Sequence, residues 1–165
     1  MATNEEWVQL VDADNRPIGG TLRSEMRSKA LRYRASYIFI FNCKGELFVQ
    51  QRAHSKDKYP GWFDLAAGGV LREGEDYLCN AVREVEEELG ITGVEMVDHG
   101  EFCVDHRDNR CWGRLFSCVA EGPFQFADGE VIGGFFTTSE KALDGTLSPV
   151  TPDSIRALQV LLCRQ

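Results

Sequence analysis

The chain contains no apolar run near the roughly 18 residues that a membrane-crossing helix requires, so no span is expected. Its first residues, Met1-Ala2-Thr3-Asn4-Glu5-Glu6, lack the basic and apolar segments of a secretory leader, which points to the cytoplasm. Positive charge is scarce as well. The 18 Lys and Arg against 26 Asp and Glu give a net charge of −8, which excludes a protein that holds a nucleic-acid polymer through its overall field. The six cysteines (Cys43, Cys79, Cys103, Cys111, Cys118 and Cys163) include no C-x-x-C pair. A chain of this length without a leader needs no disulfide staples, so reduced and mostly structural thiols are expected. His54, His99 and His106 lack the spacing of a zinc site. There is no repeat, low-complexity tract or linker, and 43% hydrophobic content over 165 residues suits one domain spanning 1–165.

What is present reads as mixed strands and helices. Trp7 to Val11 is a strand, followed by the turn-rich Asp12-Ala13-Asp14-Asn15 and a second extended piece around Ile18. Ser24 to Leu31 has helix-forming composition, so residues 1–33 form a hairpin-and-helix extension packed on the rest. Ser36 to Phe41 and Leu47 to Gln51 are strands that Asn42-Cys43-Lys44-Gly45 would join as a hairpin. From Asp76 to Leu89 the apolar period becomes helical, and Gly90 stands where a helix-ending glycine belongs. Further strands are expected at Phe102 to Val104, Trp112 to Val119 and Val131 to Phe136, the last with Phe135 and Phe136 buried. Thr151-Pro152 opens a final helix with Ile155, Leu158, Leu161 and Leu162 as its apolar face. Such an order suggests a sheet packed between helices.

The Asp76–Leu89 helix carries the chemistry. At about 100° per residue, Leu78, Ala81, Val82 and Leu89 gather around Val85 and should face the core. Glu84, Glu87 and Glu88 fall together on one flank, and Glu86 lies on the other beside Cys79. A run of glutamates is ordinarily a solvated face. Here, however, the three carboxylates border the buried stripe, where their repulsion costs stability unless a cation offsets it. Gly68-Gly69 leads in, bringing exposed backbone groups nearby. Hard oxygen donors of this kind suit Mg²⁺ or Mn²⁺ and not zinc.

The full string decides between these readings. Gly69, five residues, Glu75, seven residues and then Arg83-Glu84-Val85-Glu86-Glu87-Glu88-Leu89-Gly90-Ile91 resembles the Nudix box, G-x5-E-x7-R-E-U-x-E-E-x-G-U with U apolar, at every defined position. The resemblance implies an α/β fold, a Nudix-type α/β/α sandwich with a mixed β-sheet. It also implies a Mg²⁺-dependent (or Mn²⁺-dependent) hydrolase that cleaves the P–O–P linkage of a small molecule, a nucleoside diphosphate derivative being the expected substrate. Glu84 and Glu88 become the leading metal ligands, with Glu87 a third ligand or the base that deprotonates water. Arg83 would pair with Glu75 or a neighbouring carboxylate, and Gly69 would lend close backbone approach or a carbonyl ligand. The cation would neutralise phosphoryl charge and lower the pKa of water.

Outside the box, Leu10-Val11-Asp12, Gln51-Arg52-Ala53, Ser55-Lys56 and Tyr59-Pro60-Gly61 resemble the branch containing isopentenyl-diphosphate isomerase. Leu65 to Val70 and Trp112 to Cys118 are similar to the YfcD-type Nudix hydrolases. That similarity makes Arg52 and Lys56 candidates for the substrate's phosphates, and Glu130, after Asp128-Gly129, a loop acid serving as ligand or alternative base. Isomerase activity is the sharpest alternative. Isomerases use a cysteine ahead of the box glycines where this chain has Ala66-Ala67, and Arg27, Tyr33 and Arg34 stand where their metal-binding histidines would. Alanine transfers no proton, so isomerisation is disfavoured for want of an acid–base group there. A non-catalytic Nudix nucleotide-binding module is the other alternative, against which the intact set of glutamates argues. The expected partner is a small-molecule diphosphate, with neither nucleic-acid polymer nor membrane, and a homodimer is left open.

Overall fold

The computed structural model describes residues 5–165, and the Met1–Asn4 part of the leader argument lies outside them. β1 (Trp7–Val11) and β2 (Pro17–Leu22) pair antiparallel and lead into a short helix, α1 (Arg23–Ser28). The expected helix to Leu31 stops early, because Ala30 takes a left-handed φ of 48°. Then follow β3 (Tyr33–Phe41), β4 (Leu47–Arg52), β5 (Phe63–Asp64), β6 (Ala67–Val70) and α2 (Tyr77–Leu89). The chain ends with β7 (Val97–His106), β8 (Asn109–Val119), β9 (Val131–Thr137), α3 (Ser139–Leu143) and α4 (Pro152–Arg164).

β3 organises the sheet. It runs parallel to β8 over its whole length, from Tyr33 opposite Cys111 to Phe41 opposite Val119. Its other edge takes β6 antiparallel at Ala35 to Ile38, while β7 lies antiparallel outside β8. The β3–β4 hairpin is therefore confined to its turn. Only Phe41 and Leu47 are in register; beyond them β4 pairs with β9 and β5 instead. The period-2 alternation of strand side chains sends Tyr33, Ala35, Tyr37 and Phe39 to one side, where they meet Leu158 and Leu161 of α4. Ile38 and Ile40 go to the other side, against Ala81, Val85 and Leu89 of α2. A mixed sheet with helices over both faces results.

Both helix readings need adjustment. On α4 Leu158 and Leu161 are buried, but Leu162 is exposed, and Ser154 and Ala157 complete the covered face. On α2 Leu78 and Val82 are 50% and 46% exposed, while Tyr77, Asn80 and Glu88 are buried beside Ala81, Val85 and Leu89. The buried arc is turned by roughly 50° from the purely apolar one, towards the carboxylate flank. β6 is the cause, since a glycine-rich strand leaves room beneath that flank. The ends of α2 match expectation. Asp76 accepts the Cys79 N–H at 2.8 Å and Gly90 closes the helix at φ 69°. All six cysteines are free, but four are exposed and only Cys111 and Cys118 are buried, so most are not core residues. Phe135 is likewise exposed. No helix among the described residues is long and apolar enough to cross a membrane.

Gly68 fixes the approach of β6 to β3. Its φ is +142°, and a Cβ there would lie 1.9 Å from the Ser36 carbonyl oxygen. Gly68→Ala should therefore destabilise the protein by more than about 2 kcal/mol in urea unfolding; an unchanged midpoint would contradict this packing.

Candidate active site

The space above β6 is filled by charge. A Cβ on Gly69 would meet Glu84 Oε1 at 2.6 Å, so this glycine lets the carboxylate settle directly on the strand. One helical turn later Glu88 is 8% exposed and accepts a hydrogen bond from Gln50 Nε2 at 3.3 Å. Burial, reinforced by the neighbouring Glu84, pushes the Glu88 carboxyl well above its usual range. Burial does the same to Glu84, raising it to about 7 although the Arg83 charge opposes the shift.

Arg83 ties the acidic face together. Its Nε and Nη2 donate to the two oxygens of Glu75 at 2.9 and 3.2 Å, and Nη1 donates to Glu87 at 3.1 Å. The same Nη1 lies 3.3 Å from Glu84 Oε1. Glu75 also accepts the Arg72 N–H and the Asn80 amide, so the Arg83–Glu75 pair is anchored at both ends. Across the cleft, Glu130 is bound by the Lys56 ammonium, and its N–H is accepted by Asp128 at 2.9 Å. The cleft of about 530 Å³ is thus lined by Glu84, Glu87, Glu88, Asp128 and Glu130, with Arg83 and Lys56 among them.

Among the described residues no three acidic, cysteine or histidine side chains already converge as a cation cage. Glu87 and Glu130 are each held aside by a cation, Arg83 and Lys56. The buried elements nonetheless fit a hard divalent ion. Glu84 and Glu88 are all-oxygen donors with fewer positive partners than their burial requires, and Gln50 Oε1 is a buried acceptor without a donor.

A second, narrower cavity of about 120 Å³ lies beside the cleft and shares Arg23, Arg27, Lys56, Gly68, Gly69 and Glu88 with it. Arg52 and Lys56 both line it, yet Arg52 is already engaged. Its Nε and Nη2 donate to the Lys58 carbonyl at 3.2 and 3.0 Å, and Nη1 lies 3.3 Å from Asp64. Asp64 and Asp153 line the same cavity. Burial, with the Asp153 charge second, raises Asp64 to about 6, and Tyr37 donates its hydroxyl to Asp153 at 2.9 Å. Read from sequence alone, the wall around Ala66-Ala67 lacks an acid–base group. The structure corrects this reading, because Asp64 lines that wall and accepts the Ala66 N–H at 3.3 Å. Nothing in sequence marked Asp64, Asp153 or Gln50: one sits in a two-residue strand, one reads as an ordinary first-turn acid, and one as a strand polar residue. Of the residues standing in for the isomerase histidines, Arg27 and Tyr33 line the cavity, while Arg34 is bound to Asn15 at 2.8 Å. His99 meets Ser117 at 2.7 Å and His54 packs on Gly61, both away from the carboxylates.

A NUDIX domain model matches residues 31–161. The chain is 43% identical over 159 residues to an uncharacterized Nudix hydrolase of Yersinia pestis, covering 96% of this chain and 87% of the relative. It is 42% identical over 159 residues to the Nudix hydrolase YfcD of Escherichia coli, covering 96% and 88%. A solved Deinococcus radiodurans structure superposes with a TM-score of 0.80 at 24% identity, covering 97% of this chain and all of that one. The NUDIX domain of Shewanella oneidensis NrtR, solved with ADP ribose, superposes with a TM-score of 0.66 at 14% identity, covering 87% of this chain and 99% of that one. At these identities the structures share the fold alone.

The raised carboxyls set a pH dependence. Glu84 and Asp64 hold protons in the folded state at pH values where the unfolded chain has lost them, so the stability they contribute is present at low pH. It is lost as pH rises through about 6 for Asp64 and about 7 for Glu84. In EDTA, the melting temperature should fall by several degrees between pH 5 and 7.5, with Glu84 contributing at most ~3 kcal/mol. Mg²⁺ or Glu84→Gln should flatten the slope, and a melting temperature that rises over this interval would contradict the assignment.

Proposed function

The chain belongs to the Nudix hydrolase family, whose members act on phosphorus-containing acid anhydrides and generally use divalent metal ions; on that basis we propose that it is a Mg²⁺- or Mn²⁺-dependent pyrophosphatase of a small-molecule diphosphate. A nucleoside diphosphate derivative is the favoured substrate. The observation that carries the reading is the pair Glu84 and Glu88, two carboxylates that α2 presses onto the β6 side of the sheet and that are short of positive charge. Glu84, Glu88 and the backbone at Gly69 would hold the cation, with Glu87 as a third ligand or as the base. When bound, the cation would neutralise charge on the phosphoryl oxygens and favour attack by water.

The chain's own groups divide the remaining work. Glu87 and Glu130, each 46% exposed, stand at the rim where a water proton can be accepted and passed to solvent. Arg83 holds Glu75 and restrains Glu87 and Glu84, fixing the acidic face before substrate arrives. Lys56 faces both the cleft and the inner cavity, and so can exchange Glu130 for a substrate phosphate. Arg52, clasped to Lys58 and Asp64, orients that wall and offers its remaining donors to the same anion. The soluble cytoplasmic setting and a free small-molecule partner belong to this reading.

One observation keeps isomerisation in the test. Asp64 is a proton-holding group on the wall where the sequence shows only alanines. Nucleoside diphosphate sugars, dinucleoside polyphosphates, NADH, CoA, nucleoside triphosphates and prenyl diphosphates should be screened with Mg²⁺ and with Mn²⁺. Hydrolysis should be abolished by EDTA, and Glu87→Gln or Glu88→Gln should lower kcat by about a hundredfold or more. Activity indifferent to EDTA and to both substitutions would sink the mechanism. Conversion of isopentenyl diphosphate to its allylic isomer would establish the other chemistry, and ligand-induced stabilisation without product would mark a binder.

A further inference from the structure

The cations around the inner cavity differ in how fully they are partnered. Arg52 is engaged by a carbonyl and a carboxylate, and Lys56 by Glu130. Arg27 has one long ion pair and Lys58 has none among the described residues. Arg27 projects from α1, its Nε is buried with no hydrogen-bond acceptor, and its nearest carboxylate is Asp57 at 3.8 Å. No ion pair or hydrogen bond from the Lys58 ammonium occurs among the described residues. Both side chains line the cavity that opens beside Gly69 and Glu88, where Lys58 belongs to the inner cavity and Arg27 stands at its junction with the cleft. Burial, with repulsion from Arg27 next, lowers the Lys58 pKa, so the two cations sense each other across this space. The Arg52 clasp on the Lys58 carbonyl holds the loop that brings them together.

Two cations held close, one with an orphaned donor, form a site whose missing component is an oxyanion. We propose that Arg27 and Lys58 form an anion subsite for a phosphate-class group of the substrate, separate from the P–O–P linkage placed at Glu84 and Glu88. The proposal rests on the reading of the cleft as the hydrolytic site, and it narrows the substrate class to diphosphates bearing a further phosphoryl or similar oxyanion. The guanidinium offers planar paired donors, and the ammonium adds a point charge that follows the oxyanion's position. Asp64 and Asp153 line the same cavity, and their carboxylates would turn an anion away from that wall.

Inorganic phosphate is the probe, titrated calorimetrically into the full chain in EDTA. Saturable binding is expected, and the Arg27→Met/Lys58→Met double variant should weaken it by at least about tenfold. Lys58→Arg, which keeps the charge, should retain it, and Lys58→Met alone should weaken it if the double variant does not fold. Glu88→Gln should bind phosphate like the parent while losing turnover, so failure of the subsite and failure of the hydrolase reading are separable. Competitive inhibition by phosphate against the substrate found by screening would assign the site to the substrate's own group. Noncompetitive inhibition, absence of saturable binding, or unchanged affinity in the folded Met variants would overturn the proposal.

Discussion

Two glutamates on one helix, buried over a strand of glycines, are the constraint to which the rest of the site answers. Burying a carboxylate costs several kcal/mol unless the charge is paired or removed, and α2 buries Glu88 and nearly buries Glu84 on successive turns. The glycines of β6 make this possible sterically, because Gly69 leaves the volume that Glu84 occupies. They do not make it favourable. Arg83 offsets part of the cost, but its guanidinium is divided among Glu75, Glu84 and Glu87. Protons supply the rest, hence the raised carboxyls. A divalent cation would do so more fully, which makes the strained arrangement and the proposed chemistry two aspects of one feature.

The wider charge pattern follows from the same need. A chain of net charge −8 sets an acidic cleft directly beside a cavity walled by Arg23, Arg27, Arg52, Lys56 and Lys58. A metal–diphosphate ligand carries both signs, and adjoining regions of opposite sign can bind it where either alone would not. Arg23, Arg27 and Lys56 line both regions, and Lys56 pairs with Glu130 of the acidic cleft. The local field matters here, and the net charge says little about it.

The local features of α2 were legible because they depend on short sequence separations. Asp76 as cap, Gly90 as stop, and Glu84, Glu87 and Glu88 on one flank follow from helical geometry alone, and the order of strands followed from apolar runs and turns. What was not legible depends on distant partners. The exposure of Leu78 and Val82 is decided by β6, a strand whose glycines carry no apolar signal of their own. The β3–β4 hairpin gave way because β6 occupies the edge of β3. Asp64 and Asp153 are far apart in sequence and meet only because β5 lies beside the start of α4. For the same reason nothing in the sequence joins Arg27 to Lys58; α1 and the loop after β4 bring them to one cavity.

If protons and a divalent cation compete for the same buried carboxylates, binding of the cation must release protons. Calorimetric titration of Mg²⁺ or Mn²⁺ near pH 6.5, in two buffers of different ionisation enthalpy, measures that release directly. Each ion should displace more than one proton, fewer in Glu84→Gln and none when Glu88→Gln is added. Cation binding with no proton release, or binding unaffected by both substitutions, would contradict it.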